Sequence, residues 1–351
     1  MPSQVLHALF GEDVVNEIYR RLGGRFGIVA DKALEKINRE YRAVFVLGCQ
    51  GPDIFYHSQR IRPVAVEYGG LLHRRGYGVF TANLLKMSLP DPPPDEEDIR
   101  AGRREKGINA LGVYSLGFMT HAILDRFCHP YIIYKTACPE TASPQTGLGR
   151  LAHPFFERIL DVLMLKRLRG ADIASWNQEM LADICEKPPL GLKELLERAL
   201  VSGYPERAGK DTRLAQRIAN AFLDSAHFFR STLPSRKASP SPRHKFILGF
   251  PAGLPGDIDF LNLAREAWQY PAGPERDDTR SFPDIYGEAV DAAAGAMLPC
   301  IVAYLEKGIF PIREAAAAIG NGSLSLQDEA GKPCAPERSR PFPLERVLDF
   351  M

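Results

Sequence analysis

The chain has 351 residues, 45% of them hydrophobic and 25% charged, with 44 basic residues against 43 acidic ones. A chain this long can bury a large core without disulfides, and a net charge of +1 demands neither nucleic acid nor an anionic membrane as an obligatory partner. The six cysteines, Cys49, Cys128, Cys138, Cys185, Cys300 and Cys334, include no CxxC pair, so they fit neither a disulfide framework nor a thiolate zinc site.

Taken in order, the elements are mostly helical. The opening stretch MPSQVLHALFGEDVV lacks a basic region followed by a long apolar run. No run approaches the ~18 apolar residues that span a bilayer, so a cytoplasmic location is expected. Gly11-Glu12-Asp13 reads as the start of a helix that Gly23-Gly24 closes, with acid first and base last as the helix dipole prefers. Val44-Phe45-Val46-Leu47 is too short to decide between strand and helix. Further helices are expected near 71–88, 107–132, 151–168, 190–202, 213–231, 256–269 and 284–308. With no alternating strand series and no βαβ rhythm, the fold reads as all-α. The stretch from Leu89 to Asp98 contains three consecutive prolines and reads as an exposed loop. Residues 235–243 read as a long loop rather than a domain linker. The expected division is one helical domain over 1–319 and a weakly structured, loosely attached tail over 320–351.

The chemistry concentrates in the first 157 residues. On a helix, positions four apart differ by about 40° and lie one turn above each other. His121, Asp125 and His129 therefore form one column on a helix whose other residues, such as Leu116, Phe118, Ile123 and Phe127, are apolar. A buried Asp beside two His must be paired or bound to metal, because an isolated buried charge costs several kcal/mol. His153 and Glu157 repeat the step on a second apolar helix. One such pair alone is more often a plain i,i+4 polar contact. The repetition favours a cluster of imidazole and carboxylate ligands, which suits zinc.

The sequence here resembles a known family. His7, the stretch Leu47-Gly48-Cys49-Gln50-Gly51-Pro52-Asp53, His73, His121-xxx-Asp125-xxx-His129-Pro130 and His153-xxx-Glu157 look like the zinc-dependent phospholipases C. That family is related to glycosylphosphatidylinositol-specific phospholipase D and to the single-strand-specific zinc nucleases. A fainter echo follows in Phe260-Leu261-Asn262, Trp268-Gln269-Tyr270-Pro271 and Ser281-Phe282-Pro283. The resemblance implies a multi-helix bundle around a site of two or three zinc ions. It gives one zinc to Asp53, His73, His121 and Asp125, and a second to His129, His153 and Glu157. Asp125 would bridge to a third ion, which His7 would also hold. The second histidine of the column comes four residues after Asp125, where the secreted relatives have six. Those relatives also use a processed N-terminus on the third zinc; here His7 and water are left for that role.

Closely spaced divalent ions neutralise a phosphodiester, lower the pKa of a bound water and stabilise the leaving oxygen. The resemblance makes Asp53 both ligand and proton acceptor, held in the Gly51-Pro52-Asp53 turn. His57, His227 and His244 lack partners at ligand spacing and read as structural or surface residues. Glu67 reads as solvated. Arg74-Arg75 is either a phosphate contact or a solvated basic pair, and Phe55, Tyr56 and Tyr77 are either pocket lining or core. The expected function is hydrolysis of a phosphate ester of phospholipase C type, with a phospholipid or related substrate and transient contact with a membrane surface. The alternatives are a zinc nuclease or nucleotidase, and a non-catalytic protein whose zinc only staples the helices. The sequence is silent on oligomeric state.

Overall fold

Two glycines decide where the central helices cross. A Cβ on Gly48 would lie 2.3 Å from the Tyr114 carbonyl oxygen, and one on Gly117 would lie 2.4 Å from that of Phe45. The computed structural model describes residues 4–24, 33–89, 108–137, 148, 151–233 and 249–351. In it α2 (Arg42–Cys49) and α6 (Ala110–Tyr134) touch backbone to backbone at these glycines. Helix α6 is the axis of the fold. Asn109 caps it by accepting from the Gly112 N–H at 2.7 Å, and almost every side chain from Gly112 to Ile133 is buried.

Around α6 stand α1 (Gln4–Leu22), α5 (Tyr77–Ser88), α7 (Ala152–Arg169) and α11 (Phe282–Lys307). Ser281 and Asp284 form a reciprocal capping box at the start of α11. Outside these lie α3 (Asp53–Tyr56), α4 (Val66–Arg74), α8 (Glu179–Glu186), α9 (Leu192–Gly203), α10 (Leu214–Ser231) and α12 (Ile312–Ile319). A two-stranded antiparallel ribbon pairs β1 (Trp268–Gln269) with β2 (Asp277–Asp278). The fold is all-α, as expected.

Several boundaries differ from the sequence reading. Helix α1 begins at Gln4 and runs straight through Gly11, whose role is close approach: a Cβ there would meet Cys49 Sγ at 2.3 Å. Val44–Leu47 lies inside a helix. The helix expected over 71–88 is two, α4 and α5, separated at Gly76 with φ of 76°. No helix forms over 256–269. Asn262 and Arg265 take φ of 53° and 57° there, and the Asn262 amide donates to the carbonyls of Glu266 and Arg280. Both features are incompatible with a right-handed helix. Trp268 instead packs edge-on against Tyr131 of α6. Helix α11 is long and apolar enough by composition to cross a membrane; Asp284, Glu288 and Asp291 hid this from a search for an uninterrupted apolar run. It lies against α1 and α6 through Ile285, Tyr286, Ala289, Ala293 and Met297. Residues 90–98, 235–243, His244 and Cys138 lie outside the described residues.

Segment 320–351 has little regular structure beyond a 3₁₀ turn, Leu344–Phe350. It is nevertheless tied down. Leu324 and Leu344 are fully buried, and the Arg126 side chain donates to the carbonyls of Ile319, Gly320, Gly322 and Ser323. Backbone carbonyls supply this attachment, so no residue pattern announces it.

Candidate metal centre

The apolar packing of α6 buries its polar column. His121, Asp125 and His129 are 0%, 5% and 9% exposed. Their side chains meet as the spacing requires, with His121 Nε2 3.2 Å and His129 Nδ1 3.8 Å from Asp125 Oδ2. The five remaining candidates come from four other elements. Helix α1 delivers His7, whose Nε2 lies 3.3 Å from Asp125 Oδ1 and whose ring stacks on that of His121 at 4.3 Å. The chain turns at Gly51, where φ is +54°, and starts α3 with Asp53. A Cβ on Gly51 would lie 2.4 Å from His121 Cγ, so only glycine lets this turn press against the imidazole. Helix α4 brings His73 Nε2 to 3.2 Å from Asp53 Oδ1 and 3.6 Å from Asp125 Oδ2. Helix α7 brings Glu157 Oε1 to 3.1 Å from His153 Nε2 and 3.6 Å from His129 Nε2.

The eight candidates thus fall into three groups able to hold a metal ion: His7, His121 and Asp125; Asp53, His73 and His121; and His129, His153 and Glu157. His121 belongs to two of them, and the third is the cluster the sequence reading assigned to a separate ion. Three histidines show the bonding typical of metal ligands, donating one ring N–H to a backbone carbonyl. His73 Nδ1 donates to Gly69 at 2.8 Å, His121 Nδ1 to Cys49 at 3.3 Å and His129 Nδ1 to Leu324 at 2.7 Å.

Burial alone would raise the pKa of the carboxylates, but neighbouring imidazoles outweigh it. Asp53, facing His121 and His73, is held below the usual carboxylate range, and Asp125, facing His121 and His129, well below it. Glu157 is likewise lowered despite its burial, with His153 the leading opposing influence. The site therefore keeps buried negative charge. Both oxygens of Asp53, Oε2 of Glu157, Nδ1 of His7 and Nε2 of His121 are buried without a hydrogen bond. Such atoms need a partner. Nitrogen and carboxylate oxygen are the donors zinc takes when thiolate is absent, so the residues fit the metal.

Other supports carried no legible motif. Asp161 Oδ1 accepts from the Leu6 N–H at 2.8 Å, and the fully buried Arg158 bonds Gln4, so α7 fixes the first turn of α1 and with it His7. Asp161 stands four residues after Glu157, and that continued step was the available signal. Leu324 donates its N–H to the His73 carbonyl at 2.8 Å while accepting from His129, which links two candidate ligands through segment 320–334. His57 is structural: buried, stacked on Phe228 at 4.1 Å and 3.1 Å from Ser225 Oγ. His227 is exposed and contacts Ser231 one turn on. Glu67 pairs with Arg207. Phe55 and Tyr77 are core, whereas Tyr56 lines the cleft.

The groups sit on the floor of an open cleft of about 1590 Å³, into which Asp53, His73, Asp125, His129, His153 and Glu157 face. Clustered imidazoles and carboxylates that could hold metal ions, at the base of a cleft in a helical protein, are the arrangement used by metal proteins built on helix bundles. Comparison with protein families makes this specific. The family described as zinc dependent phospholipase C matches residues 6–206, more than half of the chain and a range that contains all eight candidates. The chain belongs to the zinc-dependent phospholipase C family. No curated protein and no solved structure matches it.

Proposed function

We propose that the protein is a zinc-dependent phosphodiesterase of phospholipase C type that uses two or three zinc ions. The observation that carries this reading is the convergence of the three donor groups on one open cleft. His7, Asp53, His73, His121 and Asp125 would hold one or two ions, and His129, His153 and Glu157 would hold another. Bound zinc supplies a water of lowered pKa and neutralises charge on the phosphoryl oxygens. Asp53 accepts a proton from the water that attacks phosphorus; its ionised, rigidly held carboxylate suits a general base. The bond between phosphorus and the glycerol oxygen breaks, the proton taken up by Asp53 passes to that departing oxygen to give the diacylglycerol hydroxyl, and the phosphorylated headgroup leaves.

Two features favour this over the alternatives. A metal that only staples helices sits in a closed site, whereas His73, His129 and His153 line an open one. A nuclease needs an aromatic slot for a base, whereas Tyr56, the aromatic residue among the described lining, leans over His73 at 4.9 Å. The test is zinc-loaded protein with bis(p-nitrophenyl) phosphate and with phosphatidylcholine in mixed micelles. Both should be hydrolysed. Asp53→Asn should lower kcat by about 10²–10⁴, with at most one zinc lost and unchanged helical circular dichroism. Wild-type turnover in that variant would return Asp53 to an ordinary turn residue.

A further inference from the structure

Above the metal-type groups, the cleft wall carries a charge pattern that the hydrolysis itself does not need. Arg74 and Arg75 at the end of α4 face it from one side, and Lys332 faces it from segment 320–334. None of the three side chains has a carboxylate within ion-pair distance among the described residues. Outside the metal-type groups, the carboxylate among the described lining residues is Glu67, and Arg207 engages it. Polar Gln59, Asn321, Ser323 and Ser325 complete this wall. Two stretches more than 250 residues apart in sequence thus place over one cleft cations that no carboxylate among the described residues pairs.

We infer that this wall is a subsite for a second anionic group on the substrate, so that the preferred lipid carries a phosphomonoester or comparable anion on its headgroup. The inference rests on the phosphodiesterase reading and deepens it. A quaternary ammonium or ammonium headgroup would need a free carboxylate or an aromatic cage, and the described wall offers neither. A phosphate, by contrast, matches guanidinium donors in charge and in fork geometry. Leu71, Leu326 and Pro333 in the same lining give apolar contact for the glycerol and acyl portion, which favours a lipid over a nucleic-acid strand. Exposed charges act over only about 8 Å at physiological salt. The preference should therefore act on bound substrate and weaken as salt rises.

The experiment compares phosphatidylinositol 4-phosphate, phosphatidylinositol and phosphatidylcholine of matched acyl chains in neutral-detergent micelles with zinc-loaded full-length protein. Release of the water-soluble phosphate ester is followed. The inference predicts kcat/KM about tenfold higher for the phosphorylated headgroup than for phosphatidylinositol, since charge-assisted contacts of this kind are the strong ones. Arg75→Gln and Lys332→Gln should each shrink that ratio severalfold while zinc content and thermal midpoint stay at wild-type values. Equal or faster hydrolysis of phosphatidylinositol and phosphatidylcholine overturns the subsite and leaves the phosphodiesterase reading standing. Failure of zinc-loaded protein to hydrolyse any diester removes both. Cleavage of a single-stranded oligonucleotide with no lipid hydrolysis overturns the lipid assignment.

Discussion

Gly51 leaves no room for a side chain, with a left-handed backbone and His121 Cγ 2.4 Å from where a Cβ would stand. Alanine there carries about 1 kcal/mol of backbone strain and must push the imidazole away from Asp53 and Asp125. Gly51→Ala should therefore weaken zinc binding by roughly 10–100-fold, the range seen when the supports of metal ligands are disturbed. Competition with a chromophoric chelator measures this, and wild-type affinity would contradict the geometry. His57 makes a different residue-scale prediction. Burial pushes its imidazole from 6.5 down to about 3. Above about pH 6.5 it is neutral in both folded and unfolded chains and contributes no pH dependence. As pH falls from there towards about 3, the unfolded chain gains a proton that the folded chain refuses, so stability declines. The His57 ring resonances should stay flat from pH 7.5 to 5 by NMR; a mid-range titration would show the ring is open to water. Five of the eight site candidates, His121, Asp125, His129, His153 and Glu157, were legible because imidazole and carboxylate types recur at four-residue steps on apolar helices, where a buried charge is too costly to be incidental; His7, Asp53 and His73 were legible only through the family resemblance. Gln4, Arg158 and Asp161 were not, because what they do depends on a contact between α1 and α7 that spacing within one helix does not reveal.

Among the elements, α6 was the most legible, since its apolar surroundings and its polar column both follow from helical period alone. The stretch 256–269 was the least. Its apolar residues imitate a helix, but the positive φ values at Asn262 and Arg265 and the side-chain bonds of Asn262 determine its path. Segment 320–334 lies beyond the range matched by the family, yet it bonds His73 and His129 through the Leu324 backbone. Composition, rich in Gly, Ser and Pro, pointed to a loose tail; backbone hydrogen bonds carry no composition. Arg126 gathers four of the carbonyls in this region. Arg126→Ala should free the segment, costing about 1–3 kcal/mol of stability from the lost bonds and the buried acceptors left behind. It should also lower zinc affinity while leaving the charge of the ligands intact. Urea unfolding together with chelator competition checks both. A loss of stability with zinc affinity unchanged would show that the segment covers the site without shaping it.

At the scale of the whole molecule, the helices deliver one outcome: buried carboxylates held ionised, buried ring nitrogens and oxygens without hydrogen bonds, and an open cleft above them. The same arrangement without metal would bury charge at a cost of several kcal/mol, so zinc binding and folding stability should be linked. The central claim is that these donors form a multinuclear zinc centre. Elemental analysis of full-length protein, before and after dialysis against chelator and after zinc is restored, tests it most directly. Two or three zinc ions per chain are predicted, lost together with diester hydrolysis and regained with it, and Glu157→Ala should hold at least one ion fewer. One ion or none, with no uptake on adding zinc, would contradict the account.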